Sequence, residues 1–478
     1  MKRITPVVPV LPVLMALAAG CGGKAADPAP DLGAPAGEIT VSAYDTNGYR
    51  AFLEDAAKKF QARYPGAVVN VETFSAMPEI RSAGEGRITQ VQIRDDPQSA
   101  ADYVTRVYTA LMSGGGADLY AMDVLPLHKF VEGGQLENLE AYMDGDPGFN
   151  RDDYRGNILD ALDYRGGVWF MPTGYTFKYF AYDSTLVPES AAAGFGTGTA
   201  WTTGELLAIG EAYYDGGAKL FNLVDYSGLA GQLLNENMRA YVDFENKTAG
   251  FSGGGFAGLL ESVRRAGETG YVPHEAGGPD DAILPQAGGE AADRFFFKLK
   301  NSVLLVAQFG RELGLRMMAW TGGEARGRED DDEIAGIAAD AAGRVPFGYS
   351  RAFGISSGSK NKALAWAFVK FLLGEEMQLG GGVAGDLPLH NKAREMKAET
   401  AFSGAFRGRP PAAGMEAAVA AYRAATEQLS DQIDCFQIRD NAVSGMISAE
   451  TRYFFDGTKT AEEAAAALQN KVDLYLNE

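Results

Sequence analysis

The chain has 478 residues, a length that is typical of about two to four domains. Apolar residues make up 46% and charged residues 22%, which is ordinary for a globular protein and argues against global disorder. The 63 acidic against 43 basic residues argue against a nucleic-acid-binding protein, and three histidines and two cysteines nearly exclude a His-rich or Cys-rich metal site.

The N-terminus has the pattern of an export signal. Two basic residues, Lys2 and Arg3, precede an apolar stretch, and small residues then lead to Cys21. Small residues directly before a cysteine resemble the bacterial lipobox, although Ala18 stands where that motif usually has Leu. We therefore predict that residues 1–20 are a lipoprotein signal peptide and that Cys21 receives a lipid. The alternative is a plain signal peptide with an incidental cysteine.

The segment after the signal is predicted to be a flexible tether, covering residues 21–37. It consists mainly of Gly, Ala and Pro and contains almost nothing to bury. No later apolar run reaches the roughly 18 residues needed to span a membrane. The second cysteine, Cys435, has no histidine near it in the sequence, so we expect it to be a packed residue rather than a catalytic one.

Strand and helix patterns alternate beyond residue 37. Strands are predicted at 38–44, 67–72, 118–122, 168–171, 178–182, 302–307 and 334–339. Helices are predicted at 51–64, 100–112, 125–131, 202–214, 256–268, 363–373 and from 460 onward, the fourth and the last opening with capping boxes. This alternation predicts an α/β fold with parallel sheets covered by helices on both faces.

Seven short motifs, in this order, resemble those of bacterial extracellular solute-binding proteins, family 1, the carbohydrate group that serves ABC importers. They lie at 57–66, 117–120, 131–139, 165–172, 179–183, 201–207 and 357–372. Each motif is weak by itself, and Ala117 replaces a Pro that is usual in the family. The seven together extend over most of the chain and stand behind the lipobox, which makes the resemblance specific.

The resemblance implies a two-lobe periplasmic-binding-protein fold, in which each lobe is a central sheet flanked by helices and the ligand lies in the cleft between lobes. We expect lobe 1 to comprise residues 38–168 and 300–347, and lobe 2 to comprise residues 169–299 and 348–478. The chain is expected to cross between the lobes near 169–175, 287–300 and 347–353. Crossings at the carboxyl ends of strands are also where a pocket is expected.

A sugar site needs aromatic planes for stacking and fixed polar groups to bridge hydroxyls. The candidate ligand-binding residues stand at predicted strand ends and crossings, and they are Tyr44, Asp45, Asp123, Tyr175, Trp320, Tyr349 and Arg351. Structural roles remain open for several of them: Tyr44 as a core residue, Asp45 as a turn residue and Asp123 as a helix N-cap. Gln308 and Asp386 are weaker candidates.

The predicted function is that of an extracytoplasmic, lipid-anchored substrate-binding protein of an ABC importer. It would capture a sugar or oligosaccharide by lobe closure and deliver it to the permease subunits. We expect a monomer without cofactor, metal or catalytic residue. The alternatives are an exported glycosidase-like enzyme, although no catalytic motif occurs, and a receptor for a non-sugar solute. The acidic net charge mildly disfavours a strongly anionic ligand.

Overall fold

The computed structural model describes residues 33–45, 48–74, 97–222, 226–272, 294–310, 332–380, 386–405 and 414–478. Three predictions lie outside these residues: the signal peptide, the lipid site at Cys21 and the candidate Trp320. Most of the predicted tether lies outside them as well.

The helices frame two sheets. Their bounds are α1 (Tyr49–Arg63), α2 (Pro97–Met112), α3 (Leu127–Glu132), α4 (Glu140–Gly145), α5 (Gly156–Asp160), α6 (Glu189–Ala192), α7 (Thr203–Glu211), α8 (Tyr226–Tyr241), α9 (Gly255–Glu268), α10 (Leu305–Phe309), α11 (Lys362–Leu372), α12 (Glu375–Gly380), α13 (Asn391–Ala405), α14 (Met415–Ser430), α15 (Asn441–Phe455) and α16 (Ala461–Asn477). Short 3-10 helices lie at Arg151–Asp153, Phe251–Gly253 and Ser302–Leu304.

The strands are short apart from β1, β2, β6, β11 and β12. Their bounds are β1 (Gly37–Tyr44), β2 (Ala67–Phe74), β3 (Leu119–Ala121), β4 (Met171–Pro172), β5 (Gly174–Tyr175), β6 (Lys178–Asp183), β7 (Ala200–Trp201), β8 (Lys219–Phe221), β9 (Val242–Asp243), β10 (Thr248–Ala249), β11 (Phe295–Asn301), β12 (Asp332–Ala338), β13 (Pro346–Phe347), β14 (Ala352–Ile355), β15 (Leu387–Pro388) and β16 (Cys435–Phe436).

The first lobe is built on a five-stranded sheet with the order β2-β1-β3-β14-β4. The strands β1, β2 and β3 are parallel, and β14 runs antiparallel to β3 and β4. Ile39 and Val41 on β1 are fully buried, because the sheet is covered by helices. Helix α1 buries Leu53, Ala56 and Phe60, which lie at the i, i+3, i+7 spacing of one helical face.

The second lobe is built on a five-stranded sheet with the order β7-β12-β6-β11-β8. Strand β6 lies in the middle and runs antiparallel to β11 and β12, while β7 and β8 are parallel to their neighbours. The register of β12 shifts between Ile334 and Gly336. Gly336 has φ +156°, and a Cβ there would lie 2.5 Å from the carbonyl oxygen of Thr199, so this irregularity requires glycine.

Sheet membership differs from the predicted lobe boundaries in two places. Strand β12, within the segment 300–347 expected in lobe 1, pairs with β6 in the second sheet. Strand β14, within the segment 348–478 expected in lobe 2, pairs with β3 and β4 in the first sheet. Helix α11 then packs against β1. The chain therefore returns to the first sheet between β12 and β14, so a crossing does lie near the predicted 347–353, but it runs in the opposite direction to the one predicted.

The return predicted at 287–300 is not observed in the part of that segment that the structure describes, because β11 belongs to the second sheet. The strand predicted at 302–307 is also wrong, since a 3-10 helix and α10 occupy it. Asn301 is the N-cap, and its side chain accepts a hydrogen bond from the backbone N–H of Val303 at 3.1 Å. The apolar run that indicated a strand fits a buried helical turn equally well.

Three apolar cores are present in the described residues. The largest fills the first lobe and extends to α13 and α14 through Phe402 and Leu429. A second core, which includes Phe180 and Phe297, covers the second sheet. A third joins α9 to the C-terminal helices α15 and α16. Cys435 is buried in β16, and burial raises the pKa of its thiol to about 12, which confirms a packed residue.

Candidate functional site

A cavity lies where the carboxyl ends of β11 and β12 meet the crossing segments. It encloses about 830 Å³, including its open mouth. Asn301 ends β11, Ala338 ends β12 and Lys178 begins the antiparallel β6, so all three stand at the same edge of the second sheet. The remaining wall comes from the crossing residues Thr176 and Gly348 and from the segment 436–439. This is the edge at which α/β sheets ordinarily hold ligands.

Helix α8 supplies one polar wall of the cavity. Gln232, Glu236 and Arg239 occur at i, i+4 and i+7, which places them on one helical face. Lys178 Nζ donates to Gln232 Oε1 at 2.9 Å, and Gln232 Nε2 donates to Glu236 Oε1 at 2.9 Å. Glu236 also accepts from the hydroxyl of Thr203 at 2.5 Å. The side chains therefore form a fixed chain of donors and acceptors.

Burial shifts the pKa values of the two charged groups in this series of hydrogen-bonded side chains, Glu236 and Lys178. It raises the pKa of the Glu236 carboxyl above its ordinary value, although the hydrogen bonds from Thr203 and Gln232 oppose the shift. Burial also lowers the pKa of the Lys178 ammonium, while the nearby Glu236 charge raises it. Glu236 is buried, and the ammonium of Lys178 has lost part of its solvation although the side chain is exposed at the cavity.

Two arginines lie on the same cavity wall. Arg239 Nη2 donates to the backbone oxygen of Phe436 at 3.1 Å, and Arg439 Nη1 donates to the backbone oxygen of Tyr349 at 3.1 Å. Asp340, which also lines the cavity, is bound by Arg344, whose Nη2 lies 2.7 Å from Asp340 Oδ2. Guanidinium groups have five N–H donors, so these contacts leave each arginine with capacity to bind a further acceptor.

Asp123 is the main polar residue at the corresponding edge of the first sheet. It accepts hydrogen bonds from the hydroxyl of Tyr49 at 2.7 Å and from the backbone N–H of Arg351 at 2.6 Å. Burial raises the pKa of the Asp123 carboxyl, while these hydrogen bonds and the charge of Arg439 lower it. It is not the N-cap of α3, because Pro126 takes that position. Asp123 therefore joins β3 to the incoming chain of β14.

Arg351 has a strained backbone with φ +76°. Its N–H is held by Asp123, and its carbonyl oxygen accepts from the N–H of Thr173 at 3.0 Å, so both ends of the residue are fixed. Its guanidinium carbon lies 4.1 Å from the ring centroid of Phe52. The structure thus brings two candidates, Asp123 and Arg351, together at the junction of the lobes.

Tyr44 and Asp45 have structural contacts at the end of β1. Tyr44 is buried, and its ring lies 5.8 Å from the ring of Tyr103. Asp45 Oδ1 accepts from the backbone N–H of Arg50 at 3.0 Å, and Asp45 therefore caps the first turn of α1. Tyr44 thus takes the core position left open for it, whereas Asp45 binds the first turn of α1, and residues 46 and 47 of the expected turn lie outside the described part of the chain.

Tyr175 and Tyr349 do not present their rings to the cavity. Tyr175 is fully buried, and its hydroxyl donates to Ser430 Oγ at 3.3 Å. Tyr349 is also buried, with its ring 4.9 Å from that of Phe170. Tyr175 lies on β5 and Tyr349 lies between β13 and β14, so both stand at the crossings as expected. Their side chains turn into the core between the lobes because neighbouring aromatic rings surround them there.

The weaker candidates lie near the crossings. Gln308 Oε1 accepts from the hydroxyl of Tyr179 at 3.0 Å. Asp386 accepts from the hydroxyl of Ser350, and burial raises the pKa of its carboxyl. It lines a smaller cavity of about 290 Å³, together with Lys397.

Sequence reasoning missed Lys178, Gln232, Glu236 and Arg439. The 232, 236, 239 spacing was a detectable signal, since it places polar side chains on one face of a helix, but α8 was not predicted. The position of Arg439 depends on the pairing of β13 with β16, which are far apart in sequence. No local pattern indicates such a contact.

Neither a metal site nor a membrane span is found among the described residues. No group of three or more His, Cys, Asp or Glu side chains there is arranged to hold an ion. None of the helices in those ranges is both long and apolar enough to cross a membrane.

The family of bacterial extracellular solute-binding proteins has a sequence model that matches residues 83–402, well over half of the chain. The chain belongs to this family. It is therefore an extracytoplasmic solute-binding protein in its general role. No curated protein matches the chain.

Several solved structures of solute-binding proteins have a fold similar to that of this chain. The extracellular solute-binding protein family 1 of Alicyclobacillus acidocaldarius has a TM-score of 0.53 and 16% identity, over 93% of this chain and 99% of that one. The GacH receptor of Streptomyces glaucescens, determined unliganded and with acarbose, has a TM-score of 0.52 and 16% identity, over 93% of this chain and 99% of that one. The sugar-binding protein MalE of Xanthomonas citri has a TM-score of 0.55 and 15% identity, over 92% of this chain and 98% of that one. These likenesses confirm the two-lobe fold.

Proposed function

We propose that this protein is a lipid-anchored receptor that captures a saccharide outside the cytoplasm and delivers it to an ABC permease. The observation that carries the proposal is the cavity of about 830 Å³ at the junction of the lobes, with side-chain amides and charges on its walls. Ligand sites are ordinarily concave and carry a few fixed polar groups of this kind.

The polar lining supports a ligand rich in hydroxyl groups. Gln232 and Glu236 are linked by a hydrogen bond and supply both donors and acceptors, while Asn301 and Gln437 add amides from other segments. A hydroxyl both donates and accepts, so it can be bridged by such a set. The apolar side chains of Met238 and Ile438 would face the weakly apolar surface of a sugar ring.

The known ligands of similar structures support the same class. The GacH receptor was determined with acarbose, and the Listeria monocytogenes protein Lmo0181 was determined with cycloalternan, at a TM-score of 0.51 and 15% identity. Both ligands are carbohydrates. We therefore propose a sugar or an oligosaccharide as the solute of this chain.

Lobe closure is the proposed mechanism. Lys178 and Glu236 stand on the second lobe, whereas Asp123 and Arg351 stand on the first, so a ligand between them would contact both sets only when the lobes approach. A ligand that gains contacts in the closed form shifts the population toward it. The permease would then recognise the lobe surfaces in their closed arrangement. No covalent step is involved.

The lipid anchor completes the proposal. Cys21, if acylated, would hold the body at the membrane surface through the segment 21–37, next to the permease. At roughly 5–6 Å × √n, about sixteen residues span on the order of 20–24 Å, which keeps the receptor close to its transporter.

The test is a thermal-shift and calorimetry screen over mono- and oligosaccharides, with a chain carrying Cys21→Ala so that it remains soluble. A ligand at a hundred times its Kd should stabilise the fold by about 2.7 kcal/mol. Met238→Trp should fill the cavity and remove that stabilisation. Met112→Trp, on a helix end where the side chain is 88% exposed, should not. Binding that survives Met238→Trp would place the solute site elsewhere.

A further inference from the structure

Three cationic side chains line the cavity and carry no ion pair. They are Lys178, Arg239 and Arg439. Within the described ranges, no carboxylate oxygen lies in salt-bridge contact with any of them, and their side chains donate to the Gln232 amide oxygen and to two backbone oxygens. The cavity wall therefore presents three cations that no described salt bridge neutralises, although the charge of Glu236 acts on Lys178 and that of Asp123 on Arg439.

Other lysines on the same sheet, unlike Lys178, form salt bridges with a carboxylate. Lys298 and Lys300 lie on β11, next to β6, and both are within 2.9 Å of the carboxylate of Asp332. A half-buried cation is ordinarily paired in this way, because desolvation is costly when no opposite charge compensates it. Lys178 stands one strand away without such a partner.

The acids of the cavity do not cancel this charge. Asp340 is bound by Arg344, so that pair is neutral as a unit. Glu236 accepts from Thr203 and Gln232 rather than from a cation. Lys178, Arg239 and Arg439 thus outnumber the one remaining acid, and the local excess is positive although the whole chain has a formal charge of −20.

Two of the cations are accessible from the cavity. Lys178 and Arg439 are exposed residues, whereas Arg239 is partly buried. A charged ligand can therefore reach the ammonium and a guanidinium without rearrangement of the fold. Lysine offers three donors and arginine five, and each has one described hydrogen bond to the protein through its side chain.

We propose that the solute is an acidic saccharide, whose carboxylate, or a sulfate or phosphate group in its place, binds between Lys178 and Arg439. This inference rests on the proposed function and narrows its substrate class. It also reverses the expectation from net charge alone, because three unpaired cations within one cavity outweigh acidic residues spread over the distant surface.

The experiment measures affinity by calorimetry for matched probes. Trigalacturonic acid, its methyl ester and maltotriose test the carboxylate, and glucose 6-sulfate and glucose 6-phosphate test the other anionic groups. An acidic saccharide should bind at least about tenfold more tightly than its neutral counterpart, and the difference should fall as salt rises. Inorganic sulfate and phosphate, tested alone, report binding of the bare anion.

Variants of Lys178 distinguish an effect of its charge on affinity from an effect on the stability of the fold. Lys178→Met should weaken binding of the acidic probe by about 10- to 100-fold more than it weakens binding of maltotriose, whereas Lys178→Arg should retain the preference for the acidic probe. Lys392→Met, on α13 where the lysine side chain is 66% exposed, is the matched control and should change neither affinity. The ligand-free melting temperature of each variant checks that it is folded.

The outcomes distinguish this inference from the proposed function. A neutral saccharide that binds as tightly as every acidic probe, with Lys178→Met unaffected, would overturn the acidic ligand and leave saccharide capture standing. Binding of the bare anions without any saccharide would overturn saccharide capture and retain an anion site. If no probe bound, both would fail.

Discussion

Thr176 and Gly348 donate their backbone N–H groups to each other's carbonyl oxygens, both at 2.8 Å. Thr176 belongs to the segment that leaves the first sheet, and Gly348 belongs to the segment that returns to it. This reciprocal pair therefore joins the two crossings directly beside the cavity. A rotation of one lobe against the other must move both segments together, which makes the pair a natural position for the hinge.

The missing side chain of Gly348 leaves room for the guanidinium of Arg439. A Cβ at residue 348 would lie 3.0 Å from Arg439 Nη2 and 3.1 Å from Thr176 Oγ1. We predict that Gly348→Ala displaces the guanidinium and weakens solute binding by about fivefold, while the free energy of unfolding changes by less than about 1 kcal/mol. Gly358→Ala, which meets only Ser356 Oγ at 3.7 Å, is the control for calorimetry. Unchanged Kd in Gly348→Ala would mean that Arg439 does not contact the solute.

Tyr175 is predicted to act on stability rather than on affinity. Its ring is fully buried, so Tyr175→Ala should cost about 3–5 kcal/mol of unfolding free energy, and Tyr175→Phe about 1 kcal/mol for the lost bond to Ser430. Tyr213→Ala, at a position 44% exposed, should cost less than about 0.5 kcal/mol. Urea titrations measure all three. A stable Tyr175→Ala that binds solute poorly would restore Tyr175 to the binding site.

His128 should make stability depend on pH. Its ring is buried 4.5 Å from the ring of Phe244, and neither ring nitrogen has a hydrogen-bond partner in the described part of the chain. Burial lowers the pKa of His128 to about 4, although Asp440 opposes the shift. The unfolded chain, with a histidine pKa of about 6.5, then binds the proton more readily.

The lower pKa of His128 in the folded chain determines the direction in which stability changes with pH. Stability contributed by neutral His128 is complete above about pH 6.5 and is lost as the pH falls toward 4, by up to about 3 kcal/mol. His128→Phe keeps a ring against Phe244 and cannot be protonated. Its unfolding free energy should therefore decline less between pH 7 and pH 4.5, measured by denaturant titration. Parallel declines in the wild type and the variant would contradict this assignment.

Cys21→Ala should release the protein from the membrane. The lipobox resemblance places the acyl chain on this residue, and without it the tether has nothing to insert. Fractionation of cells expressing the wild type and Cys21→Ala measures both membrane association and the size of the processed chain. Cys435→Ala is the matched control, because that thiol is buried in β16. Equal membrane association of Cys21→Ala and the wild type would exclude lipidation.

Local patterns predicted the elements whose signals lie within a few residues. The capping boxes at Thr202 and Thr460 form as expected, each with a reciprocal bond to the glutamate three residues later. The strand ending at Tyr44 and the helix that follows it also form within a few residues of their predicted bounds. These features depend on side chains close in sequence, which is why they were readable.

The site was less readable because its geometry is non-local. The sequence placed Tyr175 and Tyr349 at the crossings, but only the packing of Phe170 and the contact with Ser430 determine that both rings are buried. Similarly, the sequence pattern marks Lys178 only as the first residue of a predicted strand. Its importance follows from what lies across the cavity, on α8 and in the segment 436–439.

Ligand-induced closure is the central claim, and small-angle X-ray scattering tests it most directly. The soluble Cys21→Ala chain is measured alone and with a saturating amount of the saccharide that gives the largest thermal shift. Contacts from Lys178 on one lobe and Arg351 on the other should draw the lobes together, so the radius of gyration should decrease on binding. A scattering curve that stays identical at saturation would contradict capture by lobe closure.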